Sequence, residues 1–466
     1  MREAVRRPAV LAVLVLSATV AVAGLFAAAT VRVSDDRRPG VGQVAVEAAP
    51  VPSRVPARLT APTSVLAPPR AETSYPSPNR AVEVEALLVR RAAAVMARDR
   101  PAFLADLDPR ATAFVGRQSA LFDALADVPF SSWSYELDAT RESDPRALAA
   151  RYDTPVWLPQ VRLRYSYTGI ATAPTVTGQG LTFVEREGRW LLASDTDLDD
   201  GPLRTARELW DSGPVEVVRG ARSLVLGHPG SNPPLRQVAS DVDAAVPRVS
   251  AAWGSDWAEQ VVVVVPEHVE EMRSVVGEGL DLGSIAAVAT AQLLGGAERY
   301  EPVGDRVVVQ PENWPRLGAL GRRIVLTHEV FHVAARAASG PCLPLWLLEG
   351  LADHIAYSGT GLPVGRVVPQ TLTEIRAGRV PSALPAPEDF HGVNSSRAYE
   401  VSWLAVGYLA ETYGDATLEA LYRRIGAAPA GSNPQVVVAD AFRDVLGTSL
   451  EQFTVGWTAD LRRRLE

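Results

Sequence analysis

RIVLTHEVFHVAARAA (323–338) decides how this chain is read, together with WLLEGLAD (346–353), whose glutamate falls seventeen residues after the second histidine. The apolar spacing of Val325, Leu326, Val330, Phe331, Val333 and Ala334 predicts a helix buried around its polar residues. At about 100° per residue, His328 and His332 project from one face a turn apart and can share a metal ion. Glu329 lies one step round, beside the ion rather than on it, where a general base for water belongs. Glu349, on a second predicted helix, can supply a third ligand and leave the fourth position open, as catalytic rather than structural zinc requires. Asp353, four residues on from Glu349, is placed to accept the other ring N–H of a ligating histidine. Its competing reading is a solvated helix face. His354 is a rival third ligand, but it sits about 100° round from Asp353 and should point away.

These residues resemble a family. HEVFH followed by Glu-Gly-Leu-Ala-Asp is similar to the gluzincin metallopeptidases, and most of all to the bacterial peptidase MA-like domains, over roughly 215–466. The resemblance implies a zincin-like domain of mixed sheet plus helical lobe, with one Zn(2+) on His328, His332 and Glu349. It implies hydrolysis of peptide bonds by a zinc-activated water, Glu329 as catalytic base and Asp353 behind the ligands. Tyr399 looks like the residue that hydrogen-bonds the oxyanion in such enzymes. Tyr408 and His391 stay open for that role, as does plain packing for Tyr399. An edge strand pairs with extended substrate in gluzincins, which marks Val307–Gln310 for strand addition, with an ordinary central strand as the alternative.

Composition narrows the class. Hydrophobic residues make up 47 % and charged residues 21 % of 466 residues, a globular balance with room for two or three domains. The net charge of −8 argues against nucleic acid as a partner, because phosphate binding needs a basic footprint. All 46 basic residues are arginine, which excludes Schiff-base and P-loop lysines and resembles the residue usage of high-GC bacteria. Cys342 is the one cysteine, so no intramolecular disulfide forms; it reads as a partly buried structural thiol in the loop between the two ligand helices, with a thiolate on zinc as the alternative.

Residues 9–31 are an unbroken apolar run behind Arg2, Arg6 and Arg7, long enough at 1.5 Å per residue to span roughly 30 Å of hydrocarbon. The expected order is a cytoplasmic tail (1–8), a single-pass transmembrane helix (9–31) and an extracytoplasmic remainder. Signal-peptide cleavage, giving a secreted protein, is the alternative. Nine prolines between Pro39 and Pro78 make 32–80 an extended linker. Residues 81–205 read as a small α+β domain, with helices in 81–108 and then alternating strand patterns in 133–142, 156–169 and 179–195. That order resembles the nuclear-transport-factor-like (cystatin-like) cone. Trp133, Tyr135, Tyr165, Tyr167 and Trp190 either line a pocket there or fill its core. The expected fold class is thus α+β, with cone and zincin-like domains in series. The expected partners are a peptide or protein substrate and the membrane. Two rivals stand beside the peptidase: a catalytically silent zincin-fold binding protein, and a zinc hydrolase of a non-peptide amide or ester.

Overall fold

The computed structural model describes residues 12–16, 79–277, 280–294, 301–392 and 395–465. The expected tail, most of the apolar run and nearly all of the linker lie outside the described residues. Residues 12–16 form strand β1 (Ala12–Leu16), antiparallel to β11, with Ala12 opposite Leu293 and Leu16 opposite Ala289, so the helix expected over 9–31 is not seen in the described part of that run. The physical reason is that an apolar stretch rich in β-branched residues can satisfy its backbone on an otherwise open sheet edge. Among the described residues no helix is long and apolar enough to cross a membrane.

The first unit opens with helices α1 (Arg80–Ala97), α2 (Arg100–Leu104) and α3 (Thr112–Ala124). Strand β2 (Phe130–Glu142) and helix α4 (Arg146–Tyr152) follow. The unit closes with β3 (Val156–Trp157), β4 (Pro159–Tyr167), β5 (Thr175–Gln179), β6 (Thr182–Arg186) and β7 (Arg189–Ser194). They make two three-stranded sheets, β2-β4-β5 and β3-β6-β7. Strict alternation of buried and half-buried positions along β4 puts Tyr165 and Tyr167 inward. Trp133 and Tyr135 border an internal cavity of about 30 Å³, room for water and nothing larger. Tyr165 and Trp190 are core side chains.

The second unit is a six-stranded mixed sheet in the order β1-β11-β12-β10-β9-β8. Its strands are β8 (Glu216–Arg219), β9 (Ser223–Gly227), β10 (Val261–Val265), β11 (Ala287–Leu294) and β12 (Glu301–Val309), interrupted by helices α5 (Leu235–Trp253) and α6 (Val269–Val276). β10 is five valines, all buried, because both faces of the sheet are covered. Val261, Val263 and Val265 meet the helices of this unit. Val262 and Val264 share a core with Trp133, Tyr165 and Tyr167 of the first unit. The chain therefore has two sheet-bearing units with one continuous hydrophobic seam between them. β12 lies between β10 and β11, so Val307–Gln310 are not an edge: that expectation is corrected, since the neighbours already hold their backbone groups.

After the sheet come the ligand helices α7 (Ala319–Ala335) and α8 (Leu345–Tyr357), then α9 (Pro369–Arg376), α10 (Ser395–Tyr413), α11 (Asp415–Gly426), α12 (Pro434–Ala441) and α13 (Leu450–Leu465). The glycine after Glu349 has a packing cause. A Cβ on Gly350 would sit 2.7 Å from both the Ser402 carbonyl and Val406 Cγ2 of α10, so only glycine admits this crossing.

His228, just after β9, ties that strand to α6: its Nδ1 meets the Pro214 carbonyl at 2.8 Å and its Nε2 meets Glu271 Oε1 at 2.7 Å. The Glu271 hydrogen bond raises His228 above the ordinary 6.5, outweighing its burial. Burial opposes the Glu271 charge, yet His228 and the Glu267 N–H keep its carboxyl below the ordinary 4.5. A raised histidine stabilises the fold below 6.5 and loses that as pH rises through its folded value; a lowered glutamate stabilises above 4.5 and loses it on acidification. The pair should therefore contribute most between 4.5 and 6.5. Thermal melts of His228→Asn should show a smaller decline above that window than the unaltered chain, by on the order of 1 kcal/mol. Identical pH profiles would remove the pair from the stability argument.

Candidate metal centre

The zinc-type motif sits where the two ligand helices face each other across the short loop that holds Cys342. α7 buries every residue from Ile324 to Ala335, and α8 buries Trp346 to Asp353. His328, Glu329 and His332 are fully buried, and Glu349 is 1 % exposed. Uncompensated polar groups in such a place are costly, so their partners are informative.

His328 Nε2 lies 2.9 Å from His332 Nε2 and 3.2 Å from Glu349 Oε2, and His332 Nε2 lies 3.5 Å from the same oxygen. The edge of a tetrahedron of ligands about 2.1 Å from a metal is roughly 3.4 Å, a length these separations bracket. His328 Nδ1 is 2.8 Å from Asp353 Oδ1. Donation of that N–H leaves Nε2 as a lone pair aimed at a second imidazole nitrogen and a carboxylate. Three Lewis bases so converged are stabilised by a cation at their centre, and two imidazoles with one carboxylate suit zinc. Among the described residues, this is the group of histidine and acidic side chains arranged to hold a metal.

The buried charges of the group compensate one another. Burial disfavours a charged His328, but Asp353 and Glu349 outweigh it and lift the group well above its ordinary range. Burial, with the His328 and Arg336 charges adding to it, pushes His332 down to about 4 against the pull of Glu349. Burial opposes ionisation of Glu349, yet the two histidines hold it at about 2, a ready anionic ligand. Glu329 is pushed up to about 8 by burial, against the pull of His328 and with the Glu349 charge adding to the rise. A divalent cation beside it would favour its carboxylate form.

Glu329 is held from the sheet. Its Oε2 accepts the Ala289 N–H of β11 at 2.7 Å, while Oε1 is buried with no hydrogen-bond partner. Asp353 has the partner its spacing called for. His332 Nδ1 departs from the usual pattern, being buried and without a partner among the described residues. His354 turns to α11, 3.9 Å from Asp415. Cys342 is buried, with Sγ 3.7 Å from the Ser432 carbonyl. Tyr399 is buried on α10 with its ring edge-on to Phe390, centroids 5.2 Å apart. Tyr408 packs on Phe453 of α13, and His391 is exposed. Sequence reading passed over Arg336, one further turn along the histidine face; its signal was the i, i+4 continuation of 328 and 332.

Asp353→Asn should keep the fold and weaken metal binding by about 10- to 100-fold, because the amide cannot fix the His328 tautomer as a carboxylate does. Competition with a metallochromic chelator measures this, and unchanged affinity would take Asp353 out of the site.

No protein-family profile matches the chain, and no curated protein matches it. Solved structures similar to it are M1 zinc metallopeptidases at low identity. One is a two-domain M1 zinc metallopeptidase, a glutamate-to-alanine mutant bound to L-tryptophan, with 15 % identity, 60 % of each chain covered and a TM-score of 0.30. Another is the M1 zinc metallopeptidase of Deinococcus radiodurans, with 16 % identity, 72 % of each chain covered and a TM-score of 0.31. A third is a mutant of the Deinococcus radiodurans enzyme bound to a Tyr-Ser-Ala substrate, with 16 % identity over 60 % of each chain and a TM-score of 0.30. The chain spans 60 % of the length of the first of these. Overlays this loose leave the geometry of the site as the ground for a functional reading.

Proposed function

We propose that the chain is a zinc-dependent metallopeptidase that hydrolyses peptide bonds, with His328, His332 and Glu349 holding one Zn(2+). One observation carries this reading: three buried ligand atoms converge while Glu329 Oε1, beside them, is aimed at no other group. Zinc, when bound, lowers the pKa of water and polarises a carbonyl. Glu329 then has the base's task. Its Oε2 is fixed by the Ala289 N–H, so Oε1 is the atom that takes the proton of the attacking water and returns it to the leaving amine. Asp353 keeps the His328 ring oriented. Tyr399 is assigned the oxyanion by resemblance to the family alone.

The same reading treats 81–205 as a nuclear-transport-factor-like domain and 215–466 as the peptidase domain. It places both outside the membrane behind residues 9–31, on the evidence of the apolar run and its arginines only. Membrane fractionation of the full chain tests that placement.

The complete burial of the four key side chains favours one rival, a zincin-fold binding protein without turnover, because a peptide has to reach them. Incubating the purified chain with a mixed peptide library, with and without chelator, separates the two. Chelator-sensitive cleavage supports the peptidase. A metal-loaded protein that cleaves nothing supports the binding protein.

A further inference from the structure

Arg336 follows His332 by one helical turn. Around the axis of α7, His328, His332, Arg336 and Glu329 fall at about 0°, 40°, 80° and 100°, so the arginine projects between the second ligand and the base. It is 2 % exposed. Its Nε donates to Asp305 Oδ1 of β12 at 2.6 Å, while Nη1 and Nη2 are both buried and have no hydrogen-bond partner. Asp305 faces the irregularity in β11 between Thr290 and Gln292, just along that strand from Ala289, which anchors Glu329. The guanidinium is thus clamped at one nitrogen, with Nη1 and Nη2 buried and unpartnered one helical turn beyond His332.

We infer that Arg336 is the specificity residue of this site and grips the free carboxylate at the C-terminal end of the substrate peptide. Two parallel N–H donors on a rigid plane match a carboxylate, and a cation repels the amino terminus that would occupy this place in a chain running the other way. The distance sets the position. Arg336 lies about 6 Å along the helix from His332. An extended chain advances about 3.3 Å per residue, so the carboxylate belongs one or two residues beyond the scissile bond. The substrates are then peptides trimmed from their C-terminal end. This rests on the peptidase reading for the word substrate, while the carboxylate site stands on the arginine itself.

Binding and turnover are measured apart. Calorimetry on the zinc-loaded full chain compares a blocked tripeptide acid with its C-terminal amide, and a peptide amide carrying Glu with its Gln counterpart. The acid should bind at least tenfold more tightly than the amide. Arg336→Gln should reduce that ratio to about one, and Arg336→Lys should retain part of it. A purely structural arginine would lower the melting temperature and leave the ratio unchanged. Equal binding of acid and amide overturns the inference, and so does a preference that survives Arg336→Gln. A preference for Glu over Gln with none for acid over amide overturns the terminal-carboxylate assignment. Chelator-sensitive cleavage, scored separately, reports on the peptidase reading: the carboxylate site stands or falls by calorimetry even if nothing is cleaved.

Discussion

Glu329→Gln should abolish nearly all peptide hydrolysis, with kcat falling by about 10²- to 10⁴-fold, while the protein keeps its metal. The substitution is close to isosteric. The amide oxygen can still accept the Ala289 N–H that now holds Oε2, so the side chain stays anchored to β11. What changes is the other end, where an NH2 replaces the unpartnered Oε1 and has no lone pair to receive a proton. Metal content should not move, because the three converging ligand atoms belong to His328, His332 and Glu349. Metal analysis beside single-substrate kinetics checks both halves. Full activity in this variant would show that the base lies elsewhere, and loss of metal would show that Glu329 is a ligand rather than a base.

Glu208→Ala should be the most destabilising change outside the site, by about 3–5 kcal/mol. Arg306 of β12 donates to Glu208 Oε2 through Nη1 and to the Val275 carbonyl at 3.1 Å through Nη2, and the Tyr165 hydroxyl donates to Glu208 Oε1 at 3.0 Å. Both charged side chains are buried, at 7 % and 5 % exposure. Burial opposes the Arg306 charge, but Glu208 with Tyr165 and Tyr167 keeps the guanidinium firmly protonated. Removing Glu208 therefore strands a buried cation inside the seam between the two sheet units. Thermal denaturation should show a drop on the order of 10 °C, against a few degrees for Tyr165→Phe, which removes one hydrogen bond and no charge. A loss under about 2 °C for Glu208→Ala would mean that the seam relaxes and admits water.

The ligand helices were legible because their chemistry is local. The i, i+4 spacings of 328/332 and 349/353 follow from helix geometry alone. The inward aromatic positions of β4 were legible from alternation, whereas β1 of the second unit lies within an apolar run read as a helix. Helix α4 was not legible, since Arg146–Tyr152 contains no buried residue and so carries no core-facing period. The status of Val307–Gln310 was unreadable for another reason: a β-branched strand buried on both faces looks the same at an edge as in the middle. Only the register with β10 and β11 makes it central.

By itself the sequence determined which side chains could bind a metal and which neighbour could act as base, because those relations lie within a few residues on a helix. Tertiary structure decided that Glu349 meets the histidines across two helices, that Ala289 of β11 holds Glu329, and that Asp305 of β12 holds Arg336 by Nε while its Nη1 and Nη2 stay buried and unpartnered. Such contacts join residues 17 to 40 positions apart. Their formation depends on how whole faces pack, a property that local propensity does not encode.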